Sequence, residues 1–253
     1  VTITFLGTGT SQGVPVIACG CEVCTSTNKH DKRLRTSVLI ETDGKVIAID
    51  SGPDFRYQML RAGVKHLDAV VFTHEHKDHT AGLDDIRAFN FIQQAPMDIY
   101  AVPRVQESLK REFAYIFAAY KYPGIPQLHM HTIGPEPFSI GPVEVTPIEV
   151  MHYHLPVLGF RIKDFTYITD AKTIAPAEME KIKGSRILVI NALQKEPHIS
   201  HFTLDEAVTL AKQIGAQTTY FTHISHRLGK HVDVSAELPE GIALAYDGLT
   251  IKL

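Results

Sequence analysis

Apolar residues gather into short runs along the chain, and several of those runs stop at a residue that can do chemistry. Val46-Ile-Ala-Ile49 leads into Asp50, Ala69 to Thr73 into His74, and Phe165 to Thr169 into Asp170. Ile187-Leu-Val-Ile190 leads into Asn191, and Thr218 to Thr222 into His223. Runs this rich in β-branched and aromatic residues predict strands. Strands that bury apolar residues and release polar ones at their ends let a rigid sheet position a site, so residues distant in sequence are expected close in space. Helical spacing fills the intervals. Thr203-Leu-Asp-Glu206 is a capping box, and Leu204, Ala207, Val208, Ala211 and Ile214 share one face until Gly215 ends the run. A second helix is predicted from Pro103 through Val105, Leu109, Phe113 and Phe117, with its aromatic residues in the core. Tyr122-Pro-Gly-Ile-Pro126 breaks it, either as a plain turn or as a lid or rim.

The densest chemistry is the run His74-Glu75-His76-Lys77-Asp78-His79, with four metal-ligand side chains in six residues. A strand carried through to His76 puts His74 and His76 on one side, and the following turn aims Asp78 and His79 at a second ion. Glu75 and Lys77 are expected to face solvent. Neutral imidazole is the commonest protein metal ligand, and a carboxylate offsets the charge of a borderline or hard cation. Cys19-Gly-Cys21-Glu-Val-Cys24 is a second cluster, offering three thiolates at CxCxxC spacing. It holds all three cysteines of the chain, a poor disulfide framework that suits a reducing compartment. His226, in His223-Ile-Ser-His226, is available as a fourth partner. Gly7-Thr-Gly-Thr-Ser-Gln-Gly13 lacks the lysine and the following helical pattern of a P-loop and reads as a tight turn.

A length of 253 residues suits one layered domain over residues 1–253, and no solenoid repeat or low-complexity segment argues otherwise. With 44% hydrophobic and 21% charged residues, the chain has the balance of a soluble globular protein. No run approaches a membrane span. The opening Val-Thr-Ile-Thr-Phe-Leu shows neither the basic region nor the cleavage pattern of an export signal, so a cytoplasmic location is expected. Lysine plus arginine number 25 against 28 acids, a net charge of −3, which argues against a large nucleic-acid surface but not against local phosphate contacts.

HEHKDH matches the HxHxDH signature of the metallo-β-lactamase superfamily, and the resemblance runs through nearly the whole chain. Phe5-Leu-Gly-Thr-Gly-Thr10, Asp50, His152, Asp170 and His223 follow in that family's order. The resemblance implies an α+β fold, a four-layer αβ/βα sandwich with metals at one edge of two facing sheets. It implies two catalytic divalent ions, zinc or manganese. His74, His76 and His152 would hold one, Asp78, His79 and His223 the other, and Asp170 would bridge them. Asp50 would orient the loops without touching an ion. His154 stands two residues from His152, and alternation sends both to the same side, so the preference for His152 rests on family context. Together with CxCxxC and His226, the motifs are similar to the cyclic-phosphate phosphodiesterases of carbon–phosphorus lyase pathways. That similarity implies one structural zinc on Cys19, Cys21, Cys24 and His226.

The reaction so implied is hydrolysis of a small cyclic phosphodiester by hydroxide bridging the metals, with phosphoribosyl 1,2-cyclic phosphate as the candidate substrate. His201, in Pro197-His-Ile-Ser-His201, matches the family's general acid, with His198 as its competitor. Arg227 and Lys230 belong either on a terminal phosphate or in a solvated loop. The expected partner is a small phosphate ester rather than a nucleic-acid polymer or a membrane, and a homodimer is compatible with the chain. Three other readings stay open: an RNase Z-like nuclease, an ester, lactone or thioester hydrolase, and a metal-stabilised binding scaffold without turnover. The nuclease lacks support from any evident basic, glycine-rich tRNA-binding insertion.

Overall fold

The computed structural model describes residues 1–120 and 122–253. Among them the strands are β1 (Thr2–Gly7), β2 (Ser37–Thr42), β3 (Lys45–Ile49), β4 (Ala69–Val71), β5 (Met97–Ala101), β6 (Leu128–Thr132), β7 (Phe138–Ile140), β8 (Val143–His152), β9 (Leu155–Ile162), β10 (Phe165–Tyr167), β11 (Thr173–Ile174), β12 (Ile187–Asn191), β13 (Thr218–Thr222), β14 (Ile242–Leu244) and β15 (Thr250–Lys252). One sheet has the order β15-β1-β2-β3-β4-β5-β6 and the other β11-β8-β9-β10-β12-β13-β14, with β7 paired to β8.

Alternation decides which faces meet. Ile3 and Phe5 of β1, Val38 and Ile40 of β2, and Ile47 and Ile49 of β3 pack with Phe160 and Ile162 of β9, Phe165 and Tyr167 of β10, and Val189 of β12. This apolar layer lies between the sheets. Each outer face is covered by helices. Phe55 and Met59, Phe89, and Val105 and Leu109 close the first sheet from the helices Phe55–Ala62, Arg87–Gln93 and Pro103–Glu112. Ile182, Leu204, Ala207, Ala211 and Val234 close the second from Pro176–Ile182, Leu204–Ile214 and His231–Glu237. The result is helix, sheet, sheet, helix, the layering that the family resemblance implies.

Local signals explain most element ends. Thr203 accepts from the Glu206 N–H while the Glu206 carboxylate accepts from the Thr203 N–H, and Gly215 closes that helix in the left-handed region at φ 70°. The helix from Pro103 is shorter than its periodicity predicts. It stops at Glu112, and a separate turn, Ala114–Phe117, carries Ile116 inward while Phe113 packs from the junction. Tyr122–Pro126 leads into the amino end of β6, where the Met97 N–H bonds the Gln127 carbonyl at 2.9 Å. That end of the sheet is opposite the one carrying the polar strand ends, so the segment is not a lid over them.

β3, β4, β5 and β6 run parallel, as do β10, β12, β13 and β14. Asp50, His74, Asp170, Asn191 and His223 therefore all lie at carboxyl ends of parallel strands, the usual location of sites in such sheets. Two glycines let the HEHKDH segment settle there. The Ser51 N–H bonds the His79 carbonyl at 2.9 Å and the Gly82 N–H bonds the Ser51 carbonyl at 2.8 Å. A Cβ on Gly52 would stand 2.1 Å from the Asp78 carbonyl oxygen, and one on Gly82 would stand 2.1 Å from that of Gly52. Gly52→Ala is therefore expected to lower stability by about 2 kcal/mol or more, as backbone cannot yield as a flexible side chain does. It should also weaken metal binding at the histidine cluster. Denaturant unfolding and a metal titration check this, and a variant with unchanged midpoint and affinity would refute it.

Candidate metal centre

β4 ends at Val71, earlier than the apolar run suggests, although the Phe72 N–H still bonds the Tyr100 carbonyl at 2.9 Å. His74 and His76 thus project from a loop, and strand alternation is not what orients them. The Leu158 N–H bonds the Thr73 carbonyl at 3.1 Å, tying this loop to β9 of the opposite sheet. Lys77–Thr80 forms a single helical turn that turns Asp78 and His79 inward. Of the two residues expected to face solvent, Lys77 does so while pairing with Glu112. Glu75 does not: it is partly buried and pairs with Arg104 at 3.0 Å, because Arg104 reaches across to donate to the Pro156 carbonyl.

Three distant strand ends close on this loop, each through a residue in the left-handed region: Asp50 at φ 65°, Asp170 at φ 55° and His223 at φ 54°. Aspartate and histidine tolerate that region better than bulkier residues do. Further contacts hold the bends. Asn191 clasps Ala171, accepting from its N–H at 2.7 Å and donating to its carbonyl at 3.0 Å. The Ile224 N–H bonds the Thr8 carbonyl at 2.9 Å and the Thr10 N–H bonds the Ile224 carbonyl at 3.1 Å, so the glycine-rich Gly7–Gly13 turn braces the segment after His223.

His79 Nε2 lies 3.2 Å from both Asp78 Oδ2 and Asp170 Oδ2, and His223 Nε2 lies 3.2 Å from Asp170 Oδ1 and 3.6 Å from Asp78 Oδ2. The ligand atoms form three overlapping sets, each within 4.8 Å: His74, His79 and Asp170; Asp78, His79 and His223; and His152, Asp170 and His201. Asp170 is common to two of them. His76 falls outside these sets but its ring is 4.5 Å from that of His74 and 5.2 Å from that of His152. His152 points inward, its Nδ1–H donating to the Ser200 carbonyl at 2.9 Å and leaving Nε2 for another partner. His154 is exposed, its ring tilted against that of Tyr153. The alternation that left these two histidines undecided does not apply, because Tyr153 sits at φ 58° and reverses the chain between them.

His74 Nε2, His79 Nε2, His201 Nδ1 and both ring nitrogens of His223 are buried without a hydrogen-bond partner. Burying so many unpaired polar atoms is costly unless something else satisfies them. Nitrogen and oxygen donors converging on shared carboxylates suit divalent zinc, manganese or iron, so the residues present fit a dinuclear metal site. The electrostatics agree. Burial alone would lower the pKa of His79, but Asp78, Asp170 and Asp50 outweigh it and hold the pKa well above the usual histidine value. Burial raises Asp170, and the His223 and His79 charges more than reverse that. His74 is driven down by burial and then by the His79 charge. An ion held among these groups would satisfy the same carboxylates that favour a charged His79. His201 is pushed down to about 2 by burial and by His223, only partly offset by Asp170, so it is a neutral imidazole beside the carboxylate.

The cysteine cluster closes around His226. Its Nδ1 is 3.3 Å from the sulfurs of Cys19 and Cys21 and 3.5 Å from that of Cys24. Tetrahedral zinc with ordinary Zn–N and Zn–S bonds implies separations of about 3.5 Å, so these four side chains fit such an ion. The Cys24 N–H and then His226 lower Cys21 to about 6, whereas burial lifts Cys24 to about 11. Lys230 pairs at the surface with Glu22 of the cysteine loop at 2.9 Å. Cys21→Ser is expected to remove about one zinc per chain and to lower the melting temperature by several degrees. Metal analysis and a thermal scan test this, with unchanged zinc content as the contrary result.

A family model described as a beta-lactamase superfamily domain matches residues 45–224. A Porphyromonas gingivalis (strain ATCC BAA-308 / W83) protein named octanoyltransferase is 43% identical over 97% of this chain, and the chain spans about half the length of that relative, 50%. A crystal structure of a new diphosphatase from the PhnP family superposes with a TM-score of 0.93 at 43% identity, covering 99% of this chain and 96% of that one. Zinc-bound PqqB from Methylobacterium extorquens shares the fold at a TM-score of 0.81 and 19% identity, with both chains covered completely. With its two facing sheets and the HEHKDH segment at their common edge, the chain belongs to the metallo-β-lactamase superfamily.

Proposed function

We propose that the protein is a dinuclear metal-dependent phosphodiesterase acting on a small cyclic phosphodiester, with phosphoribosyl 1,2-cyclic phosphate as the first candidate. The observation that carries this reading is the convergence of unpartnered buried imidazole nitrogens on Asp170, which lies against His79 and His223 at 3.2 Å. Divalent ions bound there would lower the pKa of a shared water toward neutrality and neutralise charge on phosphate oxygens. His74, His76 and His152 would hold one ion and Asp78, His79 and His223 the other, with Asp170 between. Asp50 and the Ser200 carbonyl orient His79 and His152 by accepting hydrogen bonds from their Nδ1–H groups, so that Nε2 faces the site.

His201 is the group positioned to act on the leaving oxygen. Its Nε2 is 3.8 Å from Asp170 Oδ1, and its ring lies 4.6 Å from His152 and 4.7 Å from His223. An anionic phosphate in the site supplies the counter-charge that a protonated His201 requires. His198, partly exposed with Nδ1 facing Ser200 at 3.3 Å, stands behind it, its ring 5.1 Å away. The similarity to the diphosphatase favours one second reading, cleavage of a diphosphate at the same metal pair. In a substituted diphosphate, as in a cyclic diester, the phosphorus under attack carries two bridging oxygens, one of them the leaving group, so the same residues serve both.

Zinc- or manganese-loaded protein is expected to hydrolyse small cyclic phosphodiesters and bis(4-nitrophenyl) phosphate. His201→Ala should lower kcat by about 10²- to 10⁴-fold while both metals stay bound. Turnover of diphosphates with cyclic diesters untouched would select the second reading. Cleavage of carboxylic esters, thioesters or precursor tRNA with both phosphate classes untouched would refute the proposal.

A further inference from the structure

The helix Pro103–Glu112 carries two charges at the ends that suit them least. Arg104 stands in its first turn and Glu112 is its last residue, whereas the helix dipole favours acids at the amino end and bases at the carboxyl end. Both are engaged away from the helix, and with the same short segment. Arg104 Nε meets the two Glu75 carboxylate oxygens at 3.0 and 3.2 Å, and Glu112 pairs with Lys77. Glu75 and Lys77 are the two residues of HEHKDH without a ligand role, and they flank His76. One helix therefore holds the chain on both sides of a single imidazole. The Lys77 pair is exposed and screened by water, so the hold rests chiefly on Arg104.

His76 needs that hold more than its neighbours do. Nδ1 of His74 lies 2.9 Å from the Thr73 hydroxyl, that of His79 2.6 Å from Asp50, and that of His152 2.9 Å from the Ser200 carbonyl. Such bonds are what ordinarily aim a ligating histidine. The His76 ring is exposed and has no hydrogen-bond partner among the described residues, so its backbone must do the aiming. Arg104 also reaches toward a further ligand of the same ion. Its Nη2 donates to the Pro156 carbonyl at 2.6 Å, and Pro156 stands opposite Met151 in the hairpin whose next pair is His152 with Leu155. The guanidinium thus joins the loop bearing His74 and His76 to the hairpin bearing His152, and its planar fork can hold both partners at once where an ammonium is a single point. Asp78, His79 and His223 have other supports: the helical turn Lys77–Thr80, Asp50, and the bonds between Ile224 and the Thr8 to Thr10 turn. Arg104 bonds to none of these.

We propose that Arg104 is a positioning residue that sets the affinity of one ion of the pair, the ion assigned to His74, His76 and His152, and leaves the other to its own supports. This rests on the dinuclear reading above and adds to it a residue that is not itself a ligand. Manganese is the probe: added to protein whose histidine centre has been emptied by a mild chelator, it leaves the thiolate cluster to zinc. Equilibrium dialysis of the wild-type protein should count two manganese ions. Arg104→Met, which keeps the apolar stem, should weaken one of them by about tenfold or more, the usual effect of losing a group that orients a metal ligand. Manganese anomalous diffraction at limiting concentration should place the lost occupancy at His74, His76 and His152. Glu75→Gln should act in the same direction, and Arg104→Lys should recover part of the loss. Combining Glu75→Gln with Arg104→Met should weaken the ion no further than the worse single change, because the two side chains act as one unit. The unfolding midpoint of the metal-free Arg104→Met protein should change little. If that variant does not fold, Glu75→Gln, which keeps the shape of the side chain, decides the matter alone. Unchanged affinities would overturn the assignment, as would equal weakening of both ions, the mark of a merely structural role, or a loss confined to Asp78, His79 and His223. A wild-type protein that takes up fewer than two manganese ions would overturn the dinuclear reading itself, and the assignment with it.

Discussion

Asp50 is fully buried and accepts from His79 Nδ1 at 2.6 Å, from the Thr73 N–H at 2.9 Å and from the Thr73 hydroxyl at 2.8 Å. Those contacts join both ends of the HEHKDH segment to the end of β3. Burial raises the Asp50 pKa, and the His79 charge works against that rise. A carboxylate so placed is tolerable only while its partners remain, and breaking such a buried pair costs about 3 to 5 kcal/mol. The hydrogen bond also decides which nitrogen of His79 is left to face Asp78 and Asp170. Geometry, tautomer and local charge balance therefore all pass through this one carboxylate.

Around it the sheets act as a frame. Parallel strands deliver Asp50, Asp170 and His223 to the same edge, and left-handed bends at all three turn their side chains toward one another. The glycines at 52 and 82 allow the backbone of residues 51–52 to lie against the turn bearing Asp78 and His79. Packing between the sheets makes the edge rigid, so the buried imidazole nitrogens cannot move apart to find water. The cysteine cluster anchors the N-terminal loop to His226, three residues beyond His223.

Much of this was legible in the residues. The apolar runs located the strands, because burial on a sheet selects β-branched and aromatic side chains, and their polar ends marked the site. HEHKDH, Asp170, His223 and CxCxxC stood out because clustered metal-ligand residues are rare without a reason to cluster. The boundaries were less visible. Whether His74 lay on a strand depended on hydrogen bonding beyond Val71, which periodicity does not report. Alternation could not separate His152 from His154, since it assumes an extended chain and Tyr153 breaks it; family context alone favoured His152. Glu75 read as a solvent residue because Arg104, its partner, is remote in sequence. Thr73 and Ser200 escaped notice for a similar reason: a hydroxyl and a carbonyl that orient another side chain carry no pattern of their own.

Two metal ions sharing Asp170 are the central claim, and anomalous diffraction from crystals grown with zinc measures them most directly. Three peaks are predicted. Two should lie about 3.5 to 4 Å apart on either side of the Asp170 carboxylate, the spacing of two-metal hydrolases. The third should sit among Cys19, Cys21, Cys24 and His226. A single ion among the histidines at full zinc loading, or a pair not bridged by Asp170, would contradict the claim.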